Sequence, residues 1–232
     1  MSAHAADFVW RASGAIASFV RQGGRAHVLC LTFGEKGESQ GLWKEPGMTL
    51  ERVKEERRAE AAEAAGILGA EITFLDKGDY PLRPTDDLYD EVVATIRAVR
   101  PSVILTHPAY DPYNLDHTLA HEVVLRARMI AQAAGHDPAT RPIGAPQVLQ
   151  FEPHQPEQCG FKPDLLLDVS DVFPLKRKAM EAMEGAQGHL VAYYDELGLR
   201  RGVQARRNGG AASITHAEAF QRVFPTVAGG LL

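Results

Sequence analysis

Residues 102–117 read Ser-Val-Ile-Leu-Thr-His-Pro-Ala-Tyr-Asp-Pro-Tyr-Asn-Leu-Asp-His, and they carry the clearest signal for the fold. The apolar run from Ser102 to Leu105 predicts a buried strand, and a helical pattern begins near Leu115. The polar residues between them therefore form a loop at the carboxyl end of a strand. Open α/β sheets bind their ligands at that end of their strands.

Strand-like apolar runs alternate with helical patterns along the rest of the chain. Strands are predicted at 26–33, 71–75, 102–105, 147–151 and 164–169. Helices are predicted at 8–22, 49–68, 86–99, 115–134, 171–185, 188–206 and, as a short last element, around 216–223. This alternation predicts a three-layer α/β/α fold of the Rossmann-like kind, with a mostly parallel sheet. Nothing marks a second domain, so residues 1–232 are expected to form one.

The composition is that of an ordinary globular protein. Hydrophobic residues make up 45% of the chain and charged residues 24%, and the formal net charge is −5. This acidic balance argues against a nucleic-acid-binding protein, which usually presents a basic face. No apolar run approaches the roughly 18 residues of a membrane span, and two cysteines, Cys30 and Cys159, cannot build a disulfide framework. We therefore expect a cytoplasmic protein without nucleic-acid or membrane partners.

Two short polar motifs lie at predicted strand ends. His4 and Asp7 stand near the start of the chain, and Asp116 and His117 follow the strand at 102–105. Either pair alone is weak evidence, because a short acidic side chain at a helix start is more often an N-cap. Together the motifs supply two imidazoles and a carboxylate, the three-ligand set of a catalytic zinc with one open position. We predict that His4, Asp7 and His117 bind one Zn²⁺ per chain.

A further histidine, His121, follows His117 by one helical turn. Histidines at this spacing can bind zinc from a single helix face. The residues between them are Thr118, Leu119 and Ala120, so the glutamate of the His-Glu-x-x-His motif is absent. We therefore expect His121 to pack beside the site and not to bind the metal.

Several motifs in this order resemble the LmbE-like (PIG-L) superfamily. They are the His-x-x-Asp at 4–7, the Gly-Glu-x-Gly-Glu loop at 34–38, the Arg-x-Glu-x-x-x-Ala helix at 58–64 that ends in Leu68-Gly69, and the distal Asp116-His117. The superfamily usually opens with Ala-His-Pro-Asp-Asp. Its histidine and second aspartate bind zinc, and its first aspartate is the base for N-deacetylation. The resemblance thus implies the same three ligands, with the last histidine of a His-x-Asp-His motif as the third.

Two positions depart from the superfamily pattern. Ala6 stands where the deacetylase base is expected, and a methyl group cannot accept a proton. Asn114 stands in place of the earlier histidine of the distal motif. These departures put the deacetylation mechanism in doubt for this chain.

A hydratase branch of the superfamily accommodates these departures. Segments 2–11, 33–39, 111–114 and 151–159 resemble that branch. Its members add water across a carbon–carbon double bond of an oxo-tricarboxylic acid during gallate and protocatechuate breakdown. The resemblance therefore implies a zinc-dependent hydro-lyase that acts on a small polycarboxylate, and we also expect a homo-oligomer.

Water addition requires groups that move protons and groups that hold the substrate. Glu38 and His154 are the candidates for proton transfer, because both lie on loops at predicted strand ends, and Glu35 is the rival to Glu38. A polycarboxylate favours arginines, which bind carboxylates with two parallel hydrogen bonds. The arginine candidates are Arg58, Arg206 and Arg207, and the Trp10-Arg11 pair just past Asp7 is a further possibility.

Two other functions remain open at this point. The first is a zinc N-deacetylase for an N-acetylglucosaminyl compound, in which Glu35 or Asp116 replaces the missing base. The second is a metal-binding regulatory or scaffold protein without catalysis. Ala6 is the residue that argues most directly against the first alternative.

The start of the chain raises a separate expectation. In the superfamily an apolar strand precedes the first metal histidine, whereas only Met1, Ser2 and Ala3 precede His4 here. A sheet without that strand leaves backbone groups of its neighbour unpaired, and chain ends are usually poorly ordered. We therefore expect a truncated first strand and a loosely held His4, so that either the natural start lies upstream or this form binds metal poorly.

Overall fold

The computed structural model describes residues 1–227. Its helices are α1 (Asp7–Arg21), α2 (Leu50–Leu68), α3 (Asp86–Val99), α4 (Leu115–Gln132), α5 (Phe173–Glu181), α6 (Glu184–Gln187) and α7 (Val191–Arg207). Its strands are β1 (His27–Cys30), β2 (Glu71–Phe74), β3 (Val103–Thr106), β4 (Gln147–Phe151), β5 (Leu165–Asp168) and β6 (Ala217–Arg222). No helix in this part of the chain is both long and apolar enough to cross a lipid bilayer.

The strands form two hydrogen-bonded groups. Strands β1 and β2 are parallel, and so are β3 and β4, whereas β6 lies between β4 and β5 and is antiparallel to both. The first residues of the chain lie between the two groups. Ser2 forms a parallel bridge with Cys30 of β1, and the amino group of Met1 donates a hydrogen bond to the Leu105 carbonyl oxygen of β3 at 2.6 Å. The predicted mostly parallel arrangement is confirmed.

The residues before His4 form a single bridge to β1, and they are held on both sides. The Ser2 amide donates to the Leu29 carbonyl oxygen at 2.9 Å, and the Ala3 amide donates to Nε2 of His107 at 3.0 Å. His4 itself is fully buried. The expectation of a loosely held His4 is therefore wrong, because hydrogen bonds to two neighbouring strands hold the backbone that precedes it.

Strand β1 shows how helices cover both faces of the sheet. Its alternate residues Val28 and Cys30 pack with residues of α1, α2 and α5, whereas Leu29 and the following Leu31 pack with residues of α3 and α4. Successive side chains of a strand point to opposite faces, so each face of β1 carries its own apolar core. This arrangement confirms the predicted three-layer α/β/α fold.

Helix ends follow local chemistry that is visible in the sequence. The hydroxyl of Thr49 accepts a hydrogen bond from the Arg52 amide at the start of α2, which is the usual role of an N-cap threonine. Gly69 ends the same helix with a φ of +72°, a left-handed conformation that glycine adopts without steric cost. These two residues fix the length of α2 as predicted.

Two local predictions in the C-terminal part are wrong. The segment around 216–223 was expected to be a helix, but residues 217–222 form strand β6. The Ala-Glu-Ala run has high helix propensity, yet the position between β4 and β5 gives its backbone partners on both sides, and tertiary context overrides propensity. Asp171 was expected to cap a helix, but it lies inside a short 3₁₀ turn at 170–172, and α5 begins at Phe173.

Candidate metal centre and active site

Four side chains with metal-ligating atoms meet where the sheet segments end. We call His4, Asp7, Glu38 and His117 the donor cluster, and one ligating atom from each lies within 4.8 Å of all the others. His4 and Asp7 follow the 1–3 segment, Glu38 lies in the loop after β1, and His117 lies in the first turn of α4 after β3. Because these segments are neighbours and run parallel, their carboxyl ends meet at one edge of the sheet.

His4 is oriented by a carboxylate outside the donor cluster. Its Nε2 lies 3.4 Å from Oδ2 of Asp116. Asp116 in turn accepts hydrogen bonds from the backbone amides of Tyr80 at 2.9 Å and Leu82 at 3.0 Å, so its position is fixed. The other ring nitrogen of His4, Nδ1, is buried without a hydrogen-bond partner and lies 3.3 Å from Oε1 of Glu38.

A carboxylate also orients His117, but here the carboxylate faces Nδ1 and the free nitrogen is Nε2. Its Nδ1 lies 2.9 Å from Oδ2 of Asp111, and its Nε2 is buried without a hydrogen-bond partner. That Nε2 lies 3.4 Å from Oδ1 of Asp7 and 3.5 Å from Oε1 of Glu38. A histidine whose far nitrogen is hydrogen-bonded to a carboxylate is typical of metal sites, because the carboxylate fixes the tautomer and makes the free nitrogen more basic.

The donor cluster fits the divalent metal that the family resemblance implies. Two unpartnered imidazole nitrogens and two carboxylates face one another in a buried space, and such groups are costly to bury without a partner. In the absence of a metal, protons would take its place. Burial lowers the pKa of His117, but Asp7 and the hydrogen bond to Asp111 outweigh it and raise that pKa to about 9. The residues present therefore suit a cation.

Glu38, and not its rival Glu35, belongs to the donor cluster. Glu35 is buried and accepts a hydrogen bond from the Phe33 amide. Glu38 accepts a hydrogen bond through Oε1 from Nδ2 of Asn114 at 2.9 Å, which holds it beside the two histidines. Gly34 permits this turn, since its φ is +71° and an added Cβ would lie 3.1 Å from Cβ of His4 and 3.2 Å from Cβ of Glu38.

The electrostatics keep Glu38 ionised. Burial alone raises the pKa of its carboxyl group, but the nearby His4 and His117 lower it to about 2. The Asn114 side chain also caps α4, since its Oδ1 accepts a hydrogen bond from the backbone amide of Asp116. Asn114 thus links the start of α4 to the orientation of Glu38.

Ala6 occupies the position that the resemblance assigns to the deacetylase base. It is fully buried at the N-cap of α1, and its carbonyl oxygen accepts hydrogen bonds from the Val9 and Trp10 amides. A methyl group at this position offers no acceptor for a proton. Of the donor-cluster carboxylates, Glu38 has the more accessible side chain, at 14% exposure against 3% for Asp7.

His154 lies on the loop after β4, outside the donor cluster. Its Nδ1 lies 3.0 Å from the hydroxyl oxygen of Tyr194, which belongs to α7. Burial lowers the pKa of His154, and the positive charge of Arg11 lowers it further, to about 3. The Tyr194 hydroxyl keeps its proton, because burial raises its pKa. His154 is therefore a neutral imidazole held by a tyrosine hydroxyl.

The three arginines predicted to bind substrate lie elsewhere. Arg58 is exposed, and its guanidinium lies 4.8 Å from the ring centroid of Phe33. Arg206 donates to the Ile214 carbonyl oxygen, and Arg207 is exposed in the last turn of α7. Their proposed role stays a prediction. Within residues 1–227, none of the three forms a hydrogen bond or an ion pair with the donor cluster.

Some residues of the site escaped the sequence-based prediction. His107 is fully buried and stacks on His117 with ring centroids 4.1 Å apart. Arg11 was named from the sequence as a further substrate-binding candidate, but its burial beside Asp7 was not predicted. Asp111 and Asp116 were visible as acidic loop residues, but their pairing with His117 and His4 depends on tertiary geometry. His121 lies beside the site, where its Nδ1–H donates a hydrogen bond to the His107 carbonyl oxygen at 2.9 Å.

Comparisons with known proteins point to one family. Residues 1–128 match the model of the family described as "PIG-L: GlcNAc-PI de-N-acetylase". The chain is 50% identical over 230 residues to the "4-oxalmesaconate hydratase" of Pseudomonas putida, covering 98% of this chain and 89% of that protein. It is 31% identical over 163 residues to the diacetylchitobiose deacetylase of Thermococcus kodakarensis, covering 67% of this chain and 57% of the relative.

Solved structures agree with this assignment. The crystal structure of GalB, the 4-carboxy-2-hydroxymuconate hydratase of Pseudomonas putida, superposes with a TM-score of 0.97 at 50% sequence identity and covers 100% of this chain and 97% of that one. The N,N'-diacetylchitobiose deacetylase of Pyrococcus horikoshii shares the fold at a TM-score of 0.78 and 17% identity, covering 96% of this chain and 81% of the other. On this evidence the chain belongs to the PIG-L family of metal-dependent proteins.

Proposed function

We propose that this protein is a zinc-dependent hydratase that adds water to a carbon–carbon double bond of 4-oxalomesaconate and forms 4-carboxy-4-hydroxy-2-oxoadipate. One observation carries the proposal. The position of the deacetylase base is Ala6, whereas a different carboxylate, Glu38, lies 3.3 and 3.5 Å from the unpartnered nitrogens of His4 and His117. The 50% identity to a hydratase over nearly the whole chain supports the same reaction.

The metal in this proposal is one Zn²⁺ per chain, held by His4, Asp7 and His117. Two imidazoles and a carboxylate are a usual ligand set of catalytic zinc. When bound, zinc supplies Lewis acidity at the reacting centre. Asp111 and Asp116 hold the two imidazoles in the tautomers that leave one nitrogen of each free.

Glu38 is the proposed base for the attacking water. It is ionised, partly accessible and fixed by Asn114, so it can accept a proton as the new carbon–oxygen bond forms. The electron pair of the double bond moves into the conjugated carbonyl or carboxylate group of the substrate. A proton must then be added to the neighbouring carbon to complete the addition.

His154 is the proposed donor of that second proton. In the free protein its pKa is held at about 3 by burial and by Arg11. The carboxylates of a bound substrate would offset the charge of Arg11 and raise that pKa, because nearby negative charge favours the protonated imidazole. His154 takes up a proton from solvent when the substrate binds and is neutral again once it has given that proton to carbon. The protein therefore returns to its starting state when Glu38 releases the proton it accepted from water.

The proposed reaction also implies a compartment and a pathway for the protein. We place the protein in the cytoplasm, in the breakdown of gallate and related aromatic acids, as a homo-oligomer. Both cysteines, Cys30 and Cys159, are buried free thiols, which agrees with a reducing compartment.

A side-by-side assay tests the proposed reaction. Zinc-loaded protein is given 4-oxalomesaconate, with loss of the conjugated double bond as the readout, and separately N,N'-diacetylchitobiose, with released acetate as the readout. We expect hydration at a rate well above that of a His117→Ala control, and no acetate above background. Efficient acetate release without hydration would establish a deacetylase instead, and turnover of neither substrate with zinc bound would favour a non-catalytic protein.

A further inference from the structure

Arg11 is a buried arginine whose charged group has no hydrogen-bond partner. It lies in α1, one turn after Asp7, and it is only 3% exposed. Its Nε, Nη1 and Nη2 are all buried and unpartnered, and within residues 1–227 it is the one arginine for which this holds. A buried guanidinium in this state is costly, because its five N–H donors have lost their hydrogen bonds to water and make none within the protein.

Other buried arginines of the fold have hydrogen-bond partners within the protein for most of their guanidinium nitrogens. The Nε of Arg97 donates to the Ala131 carbonyl oxygen at 3.2 Å, and its Nη2 donates to the Ala133 carbonyl oxygen at 2.7 Å. Arg57 donates to Oε2 of Glu60 at 2.6 Å. The fold therefore provides partners for arginines that only support structure, and Arg11 differs from them in this respect.

The position of Arg11 links it to the donor cluster. Its Nε lies 3.8 Å from Oδ1 of Asp7, the same oxygen that lies 3.4 Å from Nε2 of His117. The Arg11 side chain also approaches Phe151, with its Cζ 5.8 Å from the ring centroid. The guanidinium thus lies at the border of the donor cluster, too far from Asp7 for a direct hydrogen bond.

We propose that Arg11 binds a carboxylate of the substrate, and this inference rests on the proposed hydration of a tricarboxylate. The donor cluster and its supporting residues already contain four carboxylates, namely Asp7, Glu38, Asp111 and Asp116. A substrate with three more negative charges requires cationic partners besides the metal. The guanidinium plane offers two parallel N–H groups that match the two oxygens of a carboxylate.

The proposed carboxylate-binding arginine is buried, unlike the main arginine candidates from the sequence. The sequence offered Arg58, Arg206 and Arg207 as the main carboxylate-binding candidates and Arg11 as a further one, and none of the first three has a buried guanidinium without partners. The competing role for Arg11 is purely electrostatic support of Asp7. In that case its removal would weaken metal binding and leave the affinity for carboxylates unchanged.

The test measures binding of propane-1,2,3-tricarboxylate, a saturated tricarboxylate that cannot be hydrated, by calorimetry with zinc-loaded protein. Arg11→Gln removes the charge, Arg11→Lys keeps it without the planar fork, and Arg97→Gln is the control at a satisfied buried arginine. We expect Arg11→Gln to weaken binding about 10- to 100-fold, the usual worth of a hydrogen-bonded charge pair. Arg11→Lys should lose less, and Arg97→Gln should bind as the unaltered protein does.

A second measurement covers the case in which the Arg11 variants do not fold. In unaltered protein labelled with ¹⁵N, the Nε–H resonance of Arg11 should shift on addition of the tricarboxylate, whereas that of Arg97 should not. An unmoved Arg11 resonance would overturn the proposal. So would normal tricarboxylate affinity in a folded Arg11→Gln protein, or a loss of zinc affinity with tricarboxylate binding to the loaded form intact.

The outcomes separate this inference from the proposed reaction. If the protein hydrates 4-oxalomesaconate but Arg11→Gln binds the tricarboxylate normally, the role of Arg11 is wrong and the hydratase stands. If the protein binds the tricarboxylate through Arg11 but does not hydrate the substrate, the reaction is wrong and the binding residue stands. Absence of any tricarboxylate binding by the unaltered protein would overturn the role of Arg11.

Discussion

Helix α1 contributes to two buried polar clusters that differ in how well their atoms are satisfied. At its first turn lies the donor cluster, in which Nδ1 of His4 and Nε2 of His117 have no hydrogen-bond partner. Halfway along lies a second group, which we call the lysine cluster and define by Lys176 and Glu218. The ammonium of Lys176 donates to Oε1 of Glu218 at 2.7 Å, and both glutamate oxygens accept hydrogen bonds from α1.

The lysine cluster explains how a charged pair can be purely structural. The Gly14 and Ala15 amides donate to Glu218 at 2.8 and 2.7 Å, and Lys176 also donates to the Trp10 carbonyl oxygen at 2.9 Å. Gly14 is required for this approach, since an added Cβ would lie 2.8 Å from Oε1 of Glu218. Every charge is paired, and the cluster ties α1 to α5 and β6.

The difference between the clusters separates function from support. Buried polar groups are tolerated when all their hydrogen bonds are made. Buried groups that lack partners in the protein are retained where a bound ion or ligand supplies those partners. The lysine cluster is complete as it stands. In our proposals a cation completes the donor cluster, and an anion completes the hydrogen bonding of Arg11 beside it. The following predictions test this distinction, beginning with the largest expected effect.

Removing a histidine of the donor cluster should have the largest effect. His117→Ala should weaken zinc binding by more than the roughly 10- to 100-fold typical of losing an outer hydrogen-bond partner, and hydration should fall to background. His121→Ala is the matched control, one turn further along α4 and outside the cluster, and it should retain zinc. Competition with a chromophoric chelator measures both affinities. Zinc affinity unchanged in His117→Ala would remove that residue from the site.

The second prediction makes the same chemical change in each cluster. Glu38→Gln should lower kcat about 10²- to 10⁴-fold with zinc still bound, because the base is lost. Glu218→Gln should leave kcat unchanged in the folded protein but lower the free energy of unfolding by about 3–5 kcal/mol, because Lys176 becomes an uncompensated buried charge. Steady-state kinetics and denaturant unfolding measure the two effects. A large loss of kcat in a folded Glu218→Gln protein, or an unchanged kcat in Glu38→Gln, would contradict the distinction between the clusters.

The donor cluster was the part of the site most accessible from the sequence, for a topological reason. His4, Asp7 and His117 follow segments that proved to be parallel neighbours, so their side chains meet at one edge of the sheet. The position of Glu38 was harder to predict, since it depends on the left-handed turn at Gly34 and on the hydrogen bond from Asn114. Gly34 is far from both histidines in the sequence, and Asn114, although it belongs to the same motif as His117, carries no sequence signal of its contact with Glu38.

Tertiary partners account for the features that the sequence did not indicate. Residues 217–222 have a helix-forming composition, yet they form a strand because β4 and β5 leave a place between them. Arg11 and Arg58 look alike in sequence, but one is buried without partners and the other is exposed over Phe33. Burial of a long charged side chain depends on what the fold places over it, and no local pattern encodes that.

The third prediction concerns the carboxylates that orient the histidines. Asp111→Asn and Asp116→Asn each keep the shape of the side chain but replace one acceptor oxygen, so the tautomer of His117 or His4 is no longer fixed. We expect zinc affinity to fall about 10- to 100-fold in each variant, less than for loss of a ligand. Asp164→Asn, at an exposed position just before β5 where Asp164 pairs with Arg222, is the control. An unchanged zinc affinity in both site variants would mean that these carboxylates do not support the metal.

The most direct test of the central claim is anomalous scattering from crystals of zinc-loaded protein, recorded above and below the zinc absorption edge. We predict one anomalous peak per chain, about 2.0–2.1 Å from Nδ1 of His4 and from Nε2 of His117, with Asp7 as a further ligand and nothing at the lysine cluster. A zinc-loaded crystal with no peak at the donor cluster, or with its peak bound by other residues, would contradict the account.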